Sequence, residues 1–142
     1  MMISTKGRYA LRVMIELAAR EGQGYVALKD VARRQELSEK YLEAIMKKLV
    51  MEGLVSGVRG KGGGYQLARS AEECTVGEIL RATENNLTPV SCQGLGEVGC
   101  PRGERCPTLP MWQELNGLIQ DYFDRTTLAH LAQKARELEG EN

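Results

Sequence analysis

The chain has 142 residues, of which 42% are hydrophobic and 27% are charged, and this composition is that of an ordinary globular protein of one compact domain or two small lobes. It lacks an apolar run of the about 20 residues needed to span a bilayer and the apolar core of a signal peptide, so we expect a cytoplasmic protein with no membrane partner. The net charge is zero, but residues 1–70 carry 13 lysines and arginines against 7 acids, and residues 71–142 carry 6 against 12. Unless this segregation is chance, the basic half binds a polyanion.

The N-terminal part of the chain has the pattern of a helix-turn-helix unit. Ser4 is a suitable N-cap for a first helix whose apolar residues recur at spacings of three and four. A second helix is predicted through residues 30–35, and Ser38 is the N-cap of a third helix that closes at Gly53. Two helices joined by a tight turn are typical of proteins that place the second helix in the major groove of DNA.

A glycine-rich hairpin follows the third helix. Residues 54–56 and 65–67 are predicted strands, and the tip from Arg59 to Gly64 has glycine at four of its six positions. An arginine on so slim a loop is suited to the narrow minor groove, where the negative potential of DNA is strongest. The simpler interpretation is a hairpin with two solvated cations. A phosphate-binding loop is not expected, because neither serine nor threonine follows Lys61.

The second half of the chain is predicted to contain three more helices and one long irregular segment. Thr75 begins a fourth helix with a capping box, Thr108 caps a fifth, and Thr126 or Thr127 starts a sixth. Residues 85–107 lie between the fourth and fifth helices and are rich in glycine. A structureless stretch of this length is uncommon unless it is functional.

The predicted fold class is mainly α with a small β wing. A winged helix-turn-helix domain is expected at residues 1–70, and the cysteine loop with a long dimerisation helix at residues 71–142. The side chains predicted to bind DNA are polar and lie on the third helix or at the wing tip. They are Ser38, Lys40, Tyr41, Glu43, Lys47, Arg59 and Lys61. An enzyme is not expected, because the sequence has no catalytic constellation of nucleophile, base and carboxylates.

Three of the four cysteines, Cys92, Cys100 and Cys106, lie in the irregular segment. Thiolates select zinc, copper(I) or iron–sulfur clusters, and glycines let a loop wrap a cluster. The spacing fits neither a zinc ribbon nor a ferredoxin, so an iron–sulfur cluster, zinc and redox-active free thiols all stay open. Cys74 is expected to be a buried core residue, and His130 a surface or packing residue.

Apolar residues recur at spacings of three and four along the predicted fifth helix. Trp112, Leu115, Ile119 and Tyr122 form a stripe suited to a seam between two helices. We expect this helix to join two copies of the chain in a homodimer. The alternative is packing against the chain's own core.

Three segments resemble the IscR/NsrR/CymR family of bacterial repressors. They are residues 4–10 (STKGRYA), residues 37–43 (LSEKYLE) and the wing segment 58–65 (VRGKGGGY). The likeness extends over nearly the whole chain, and the cysteines together with Trp112 look most like the IscR branch. The resemblance implies a homodimer, a winged-helix domain that binds double-stranded DNA, and a long dimerisation helix.

The IscR branch implies a labile 2Fe–2S cluster held by three cysteines and a histidine. The cysteines correspond to Cys92, Cys100 and Cys106, but Leu109 stands where the histidine is expected, so the fourth ligand is unknown. In the nitric-oxide-sensing branch an acidic residue from the other subunit completes the cluster, and Arg8 stands at that place. The chain is thus expected to sense an iron–sulfur cluster and to control cluster assembly genes.

Three alternatives to cluster sensing remain open. One is a metal-free thiol redox sensor, and another is a zinc-containing regulator that uses a protein partner. The third is a repressor of cysteine metabolism with a protein partner, because that branch of the family has a similar opening segment.

Glu43 is the one acidic residue in the predicted DNA-binding set. Its carboxylate can accept a hydrogen bond from cytosine N4, but phosphates repel it, and repulsion is a means of excluding wrong sites. We therefore expect Glu43 to restrict the operators that the cluster-free protein accepts. The alternative is a helical i, i+4 pair with Lys47, worth only about 0.2–0.5 kcal/mol.

Overall fold

The computed structural model describes residues 3–90 and 105–140. Within these residues a two-stranded antiparallel hairpin lies between the third and fourth of six helices. The helices are α1 Thr5–Ala19, α2 Leu28–Gln35, α3 Glu39–Met51, α4 Val76–Thr83, α5 Leu109–Arg125 and α6 Leu128–Gly140; the strands are β1 Val55–Val58 and β2 Gly64–Leu67. The predicted class, mainly α with a small β wing, is confirmed.

Side-chain caps begin α1 and α3 where the sequence predicts them. Ser4 Oγ accepts from the Gly7 N–H at 3.1 Å, and Ser38 Oγ accepts from the Tyr41 N–H at 3.0 Å. Gly53 follows α3 with a φ of +74°, the left-handed conformation that ends a helix. Each side-chain cap contributes about 1 kcal/mol to helix stability.

The caps of the later helices agree with the sequence in part. Thr75 forms the predicted capping box with Glu78, and Thr127, not Thr126, accepts from the His130 N–H at 3.1 Å to begin α6. Thr108 occupies the N-cap of α5, but its side chain makes no capping hydrogen bond. The expectation of a side-chain cap there is wrong, because Thr108 Oγ1 lies 3.3 Å from Cys106 Sγ instead.

The core forms where the apolar faces of α1, α3 and α6 meet. Met14, Leu17, Ile45 and Leu128 are among its fully buried side chains, and each contributes about 1.5–3 kcal/mol through burial. Because Leu128 and Ala132 of α6 pack in the same core as α1, α6 completes the core of the N-terminal half. Among the described residues, no helix is long and apolar enough to cross a membrane.

The turn between α2 and α3 depends on a residue in an unfavourable conformation. Glu36 has a φ of +56° and is the one non-glycine residue with positive φ in the described ranges. Its backbone N–H bonds the carbonyls of Ala32 and Arg33, which ends α2 and turns the chain toward α3. A left-handed conformation costs a residue with a Cβ about 1–2 kcal/mol.

We expect Glu36→Gly to raise the free energy of unfolding by about 0.5–1 kcal/mol, because relief of the strain exceeds the greater entropy of glycine in the unfolded chain. Urea titration followed by circular dichroism measures this difference. Glu36→Ala is the control, since it removes the same side chain and keeps the strain. A glycine variant no more stable than the alanine variant would show that the turn is unstrained.

Candidate nucleic-acid interface

Helix α3 buries one side and exposes the other. Leu42, Ile45, Met46 and Leu49 are buried against α1 and the hairpin, and their spacing follows the helical period. Glu43 and Lys47 are exposed, one turn apart. The predicted recognition helix is therefore anchored by its apolar face and presents a polar face to solvent.

An open groove of about 760 Å³ lies between α3, the hairpin and the first turn of α2. Glu43 and Lys47 line it from α3, and Arg59 lines it from the hairpin tip. Three side chains that the sequence singled out separately thus meet around one groove. The groove is open to solvent, as the binding of an extended polyanion requires.

Lys29, which is not among the residues predicted to bind DNA, also lines this groove. It lies in the first turn of α2, where the N-cap residue Ala27 makes no side-chain hydrogen bond. A helix N-terminus without a side-chain cap offers its N–H groups to an anion. A lysine just after an uncapped helix start was the available signal.

The hairpin is tied to the segment that precedes α2. Val26 and Tyr65 exchange two backbone hydrogen bonds of 2.8 Å each. Gly64 adopts a φ of +147°, and a Cβ there would overlap the Val26 carbonyl. The close approach therefore requires glycine, and it fixes the hairpin in position relative to the helix pair.

The other predicted DNA-binding residues lie outside the groove lining. Ser38, Lys40 and Lys61 are exposed. Tyr41 is half-buried, and its ring packs edge-on against Tyr9 with centroids 6.2 Å apart. The ring of Tyr41 therefore packs against the core.

Glu43 and Lys47 are not an ion pair in the part of the chain that the structure describes. The four ion pairs within 4.0 Å there involve other residues. The helical pair that was the alternative reason for a glutamate at position 43 is thus not formed. Glu43 lines the groove without an ion pair to Lys47.

Of the three predicted metal ligands, Cys92 and Cys100 lie outside the described residues. Cys106 is half-buried and precedes α5, whose N-terminus has no side-chain cap. Its Sγ lies 3.3 Å from Thr108 Oγ1, and a thiol that is not enclosed in the core is a donor of the kind that fits a thiolate-bound metal or cluster. In the described ranges, no group of three or more histidine, cysteine and acidic side chains is close enough to hold a metal ion.

Cys74 is unsuited to complete a ligand set with Cys106. Cys74 is 2% exposed in the core, and burial raises the pKa of its thiol to about 11. A thiol that holds its proton so firmly is a poor ligand and a poor nucleophile. His130 is exposed on α6.

Helix α5 contains no fully buried residue, although it is rich in apolar side chains. The apolar residues Met111, Leu115, Leu118 and Tyr122 are between 38% and 63% exposed and repeat at spacings of four, three and four. Trp112 and Ile119, from the predicted stripe, are half-buried. The alternative in which this stripe packs into the chain's own core does not fit these exposures.

The opposite side of α5 is held on the body of the protein. Arg81 of α4 donates to both carboxylate oxygens of Asp124, at 2.7 and 3.0 Å, and to Gln120 at 2.7 Å. Gln120 Nε2 in turn donates to the Leu87 carbonyl at 3.0 Å. The orientation of α5 is thus linked to α4 and to the chain just before the cysteine-containing segment.

Comparisons with known proteins agree on one family. The model of the Rrf2 family, described as iron-dependent transcriptional regulator, matches residues 3–134. The HTH-type transcriptional regulator IscR of Erwinia tasmaniensis is 40% identical over 131 residues, which cover 92% of this chain and 78% of that protein.

Two solved structures are similar over nearly their full length. The structure of T. potens IscR has a TM-score of 0.76 and 36% identity, and the match covers 97% of this chain and 90% of that one. The structure of CymR, the global cysteine regulator of B. subtilis, has a TM-score of 0.76 and 37% identity, with 94% and 98% covered.

Proposed function

The chain belongs to the Rrf2 family of transcriptional regulators, and from this premise we propose that it binds operator DNA as a homodimer and senses an iron–sulfur cluster of the 2Fe–2S type. Like its relatives it is a DNA-binding regulator and not an enzyme. The groove between α3 and the hairpin carries the proposal, because it gathers Glu43, Lys47 and Arg59 on one surface. We place the protein in the cytoplasm with its target, the operators of iron–sulfur cluster assembly genes.

In the proposed complex, α3 enters the major groove with its N-terminal turn, where Ser38, Lys40 and the Tyr41 hydroxyl lie. Lys47 and the first turn of α2 bind phosphates, which position the protein without reading bases. The hairpin tip places Arg59 in the adjacent minor groove, with Lys61 toward the backbone.

The homodimer is proposed to form through the exposed apolar side of α5. Trp112, Leu115, Ile119 and Tyr122 supply the seam, and a second copy of α5 is a partner of matching pattern. The acidic second half then carries the dimer contact and the basic first half carries DNA. Two recognition helices in a symmetric dimer read two half-sites of a palindromic operator.

Cys92, Cys100 and Cys106 are the residues that would hold the cluster, which supplies a redox-sensitive and oxygen-sensitive group when bound. Both ends of the cysteine-containing segment attach to α5: Leu87 through Gln120, and Cys106 through its position just before the helix. A change in that segment therefore reaches α5 and the relative position of the two recognition helices. This is a population shift with the cluster as the ligand.

A second function rests on the similarity to CymR. The opening segment and the fold fit a repressor of cysteine metabolism that acts with a protein partner, and a metal-free thiol sensor uses the same three cysteines. The IscR-type function is favoured because the chain keeps Cys92, Cys100 and Cys106 together in one glycine-rich segment.

Glu43→Ala is expected to strengthen binding of the cluster-free protein to operators that it normally refuses, because the variant no longer brings a carboxylate close to phosphates or unsuitable bases. Apo wild type and apo variant should be titrated against a panel of operators selected from random duplexes. Glu52→Ala is the control, since it removes an exposed carboxylate at the end of the same helix and outside the groove lining, and it should leave the set of accepted sites unchanged. If Glu43→Ala binds every site equally or more weakly than the wild type, Glu43 is not a discriminator.

The function is tested by selecting operators from random duplexes and titrating them by fluorescence anisotropy with cluster-loaded and cluster-free protein at fixed salt. We expect a preference for the selected operators over unrelated duplex of about 10³-fold or more. The two protein states should differ in affinity or in the sites preferred. Equal affinity for operator and unrelated DNA would contradict the proposed role as a sequence-specific regulator. Equal affinities and site preferences of the cluster-loaded and cluster-free protein would contradict cluster sensing.

A further inference from the structure

A cleft of about 560 Å³ lies between α1, the end of α2 and α6. Its volume is in the range of small-molecule sites, about 300–1,000 Å³. Its lining contains none of the residues proposed for DNA, the cluster or the dimer seam. The apolar part of the lining is small and consists of Ile15, Ala19, Ala132 and Ala135.

The charged lining of the cleft is mostly cationic. It consists of Arg12, Arg20, Arg34, Arg136, Glu16 and Glu139. Arg12 is engaged by Gln35 at 3.0 Å and lies over the Tyr9 ring. Neither Arg20 nor Arg136 has a carboxylate within 4.0 Å among the described residues, although one Nη of Arg136 donates to Gln133 Oε1 at 2.6 Å. The guanidinium of Arg20 and the remaining N–H groups of Arg136 therefore offer donors to an incoming carboxylate.

Glu16 provides the opposite charge in the same cleft. Its side chain is 11% exposed, and its Oε1 accepts from Gln35 Nε2 at 3.2 Å, with Arg34 Nε 4.0 Å away. Its Oε2 is buried and has no hydrogen-bond partner in the described part of the chain. Burial raises the pKa of this carboxyl, although the Gln35 hydrogen bond and the charge of Arg20 act against the rise. A donor that reached Oε2 would offset the cost of burying this oxygen without a hydrogen bond.

We propose that this cleft binds a small zwitterion of the α-amino acid class, with its ammonium group on Glu16 and its carboxylate on Arg20 and Arg136. The carboxylate of Glu16 repels a simple anion, and the arginines repel a simple amine. A zwitterion places its ammonium group beside Glu16 and its carboxylate beside the arginines, so that each end faces the opposite charge. Glu16 already lines the cleft, and because the last torsion of a glutamate is broad, its carboxylate can turn to present an oxygen to a bound ammonium group. The alanine-rich floor favours a short side chain on the ligand.

The location of the cleft connects such a ligand to DNA binding. Its walls come from α2, the first helix of the helix-turn-helix pair, and from α6, which follows the proposed dimerisation helix. A ligand that bridges these walls would hold the helix-turn-helix pair in a fixed position against α6. This effect on operator affinity rests on the proposed function, whereas ligand binding itself does not.

The test measures thermal unfolding of the DNA-free protein with each standard L-amino acid. Ethanolamine serves as the amine-only probe, and lactate and inorganic phosphate as the anion-only probes. We expect at least one amino acid to raise Tm by about 5 °C at ten times its Kd, and the single-charge probes to leave Tm unchanged. If no amino acid raises Tm, or a single-charge probe raises it as much, the zwitterion site is wrong.

Variants locate the response. Glu16→Gln and Arg136→Ala are expected to abolish it, whereas Lys134→Ala, which changes an exposed cation of α6 outside the cleft lining, keeps it. Glu16→Gln keeps the shape of the side chain and removes a buried charge, so we expect it to fold. A response that survives both cleft variants overturns the assignment. The same variants are also titrated with operator in the absence of amino acid. Operator binding without any amino acid response would refute the cleft site alone, whereas loss of operator binding by the wild type would refute the proposed function.

Discussion

Replacing both Leu115 and Ile119 with aspartate is expected to convert the protein into a folded monomer. In a symmetric dimer the double change removes four apolar side chains from the seam, each worth about 1.5–3 kcal/mol of burial. The dimer dissociation constant therefore rises by about 10⁴-fold or more. The monomer should stay folded, because Leu115 is 38% exposed in the single chain and Ile119 is half-buried.

Sedimentation velocity measures the association state, and circular dichroism checks that the helices remain. The control is Gln133→Asp with Lys134→Asp, which places two aspartates on the exposed surface of α6. It should leave the dimer intact. An intact dimer in the Leu115 and Ile119 variant would show that α5 does not form the interface. An unfolded chain would show that α5 belongs to the core.

Arg59→Ala is expected to weaken operator binding by about 1–3 kcal/mol, which is about 5- to 150-fold in affinity. Arg59 lines the groove from the tip of the hairpin, and the hydrogen bonds between Val26 and Tyr65 fix that hairpin in position. An arginine held in this way enters a narrow minor groove without first ordering the loop. Anisotropy titration at fixed salt gives the affinity.

Arg59→Lys is the matched variant, because it keeps the charge and loses the planar guanidinium group. If Arg59 reads a narrow groove, lysine restores only part of the affinity. If Arg59 binds only a phosphate, lysine restores nearly all of the affinity, and Arg59→Ala weakens binding to every DNA sequence by the same factor. No measurable loss in Arg59→Ala would remove the hairpin from the DNA interface.

The local features of the fold could be predicted from the sequence because they depend on neighbours in the chain. Ser4, Ser38 and Thr75 cap helices through side chains that reach backbone N–H groups three residues on. The cap at Thr108 could not be predicted in the same way. Its hydroxyl lies beside Cys106, and that competition depends on how the chain enters α5.

The candidate site could be predicted residue by residue but not as a surface. Glu43, Lys47 and Arg59 were predicted separately, and they line one groove because the hairpin packs on α3 through Leu54 and Val55 and is bonded to Val26 before α2. Lys29 joins that groove through the same folding of distant segments. The division of the chain at residue 70 stays a prediction.

The central claim is tested most directly by the absorption spectrum of the protein purified without oxygen, with iron and acid-labile sulfide measured on the same sample. We predict visible sulfur-to-iron charge-transfer bands, with two irons and two sulfides for each set of Cys92, Cys100 and Cys106, and loss of the bands in Cys106→Ala. A colourless protein that contains zinc, or no metal at all, would contradict cluster sensing.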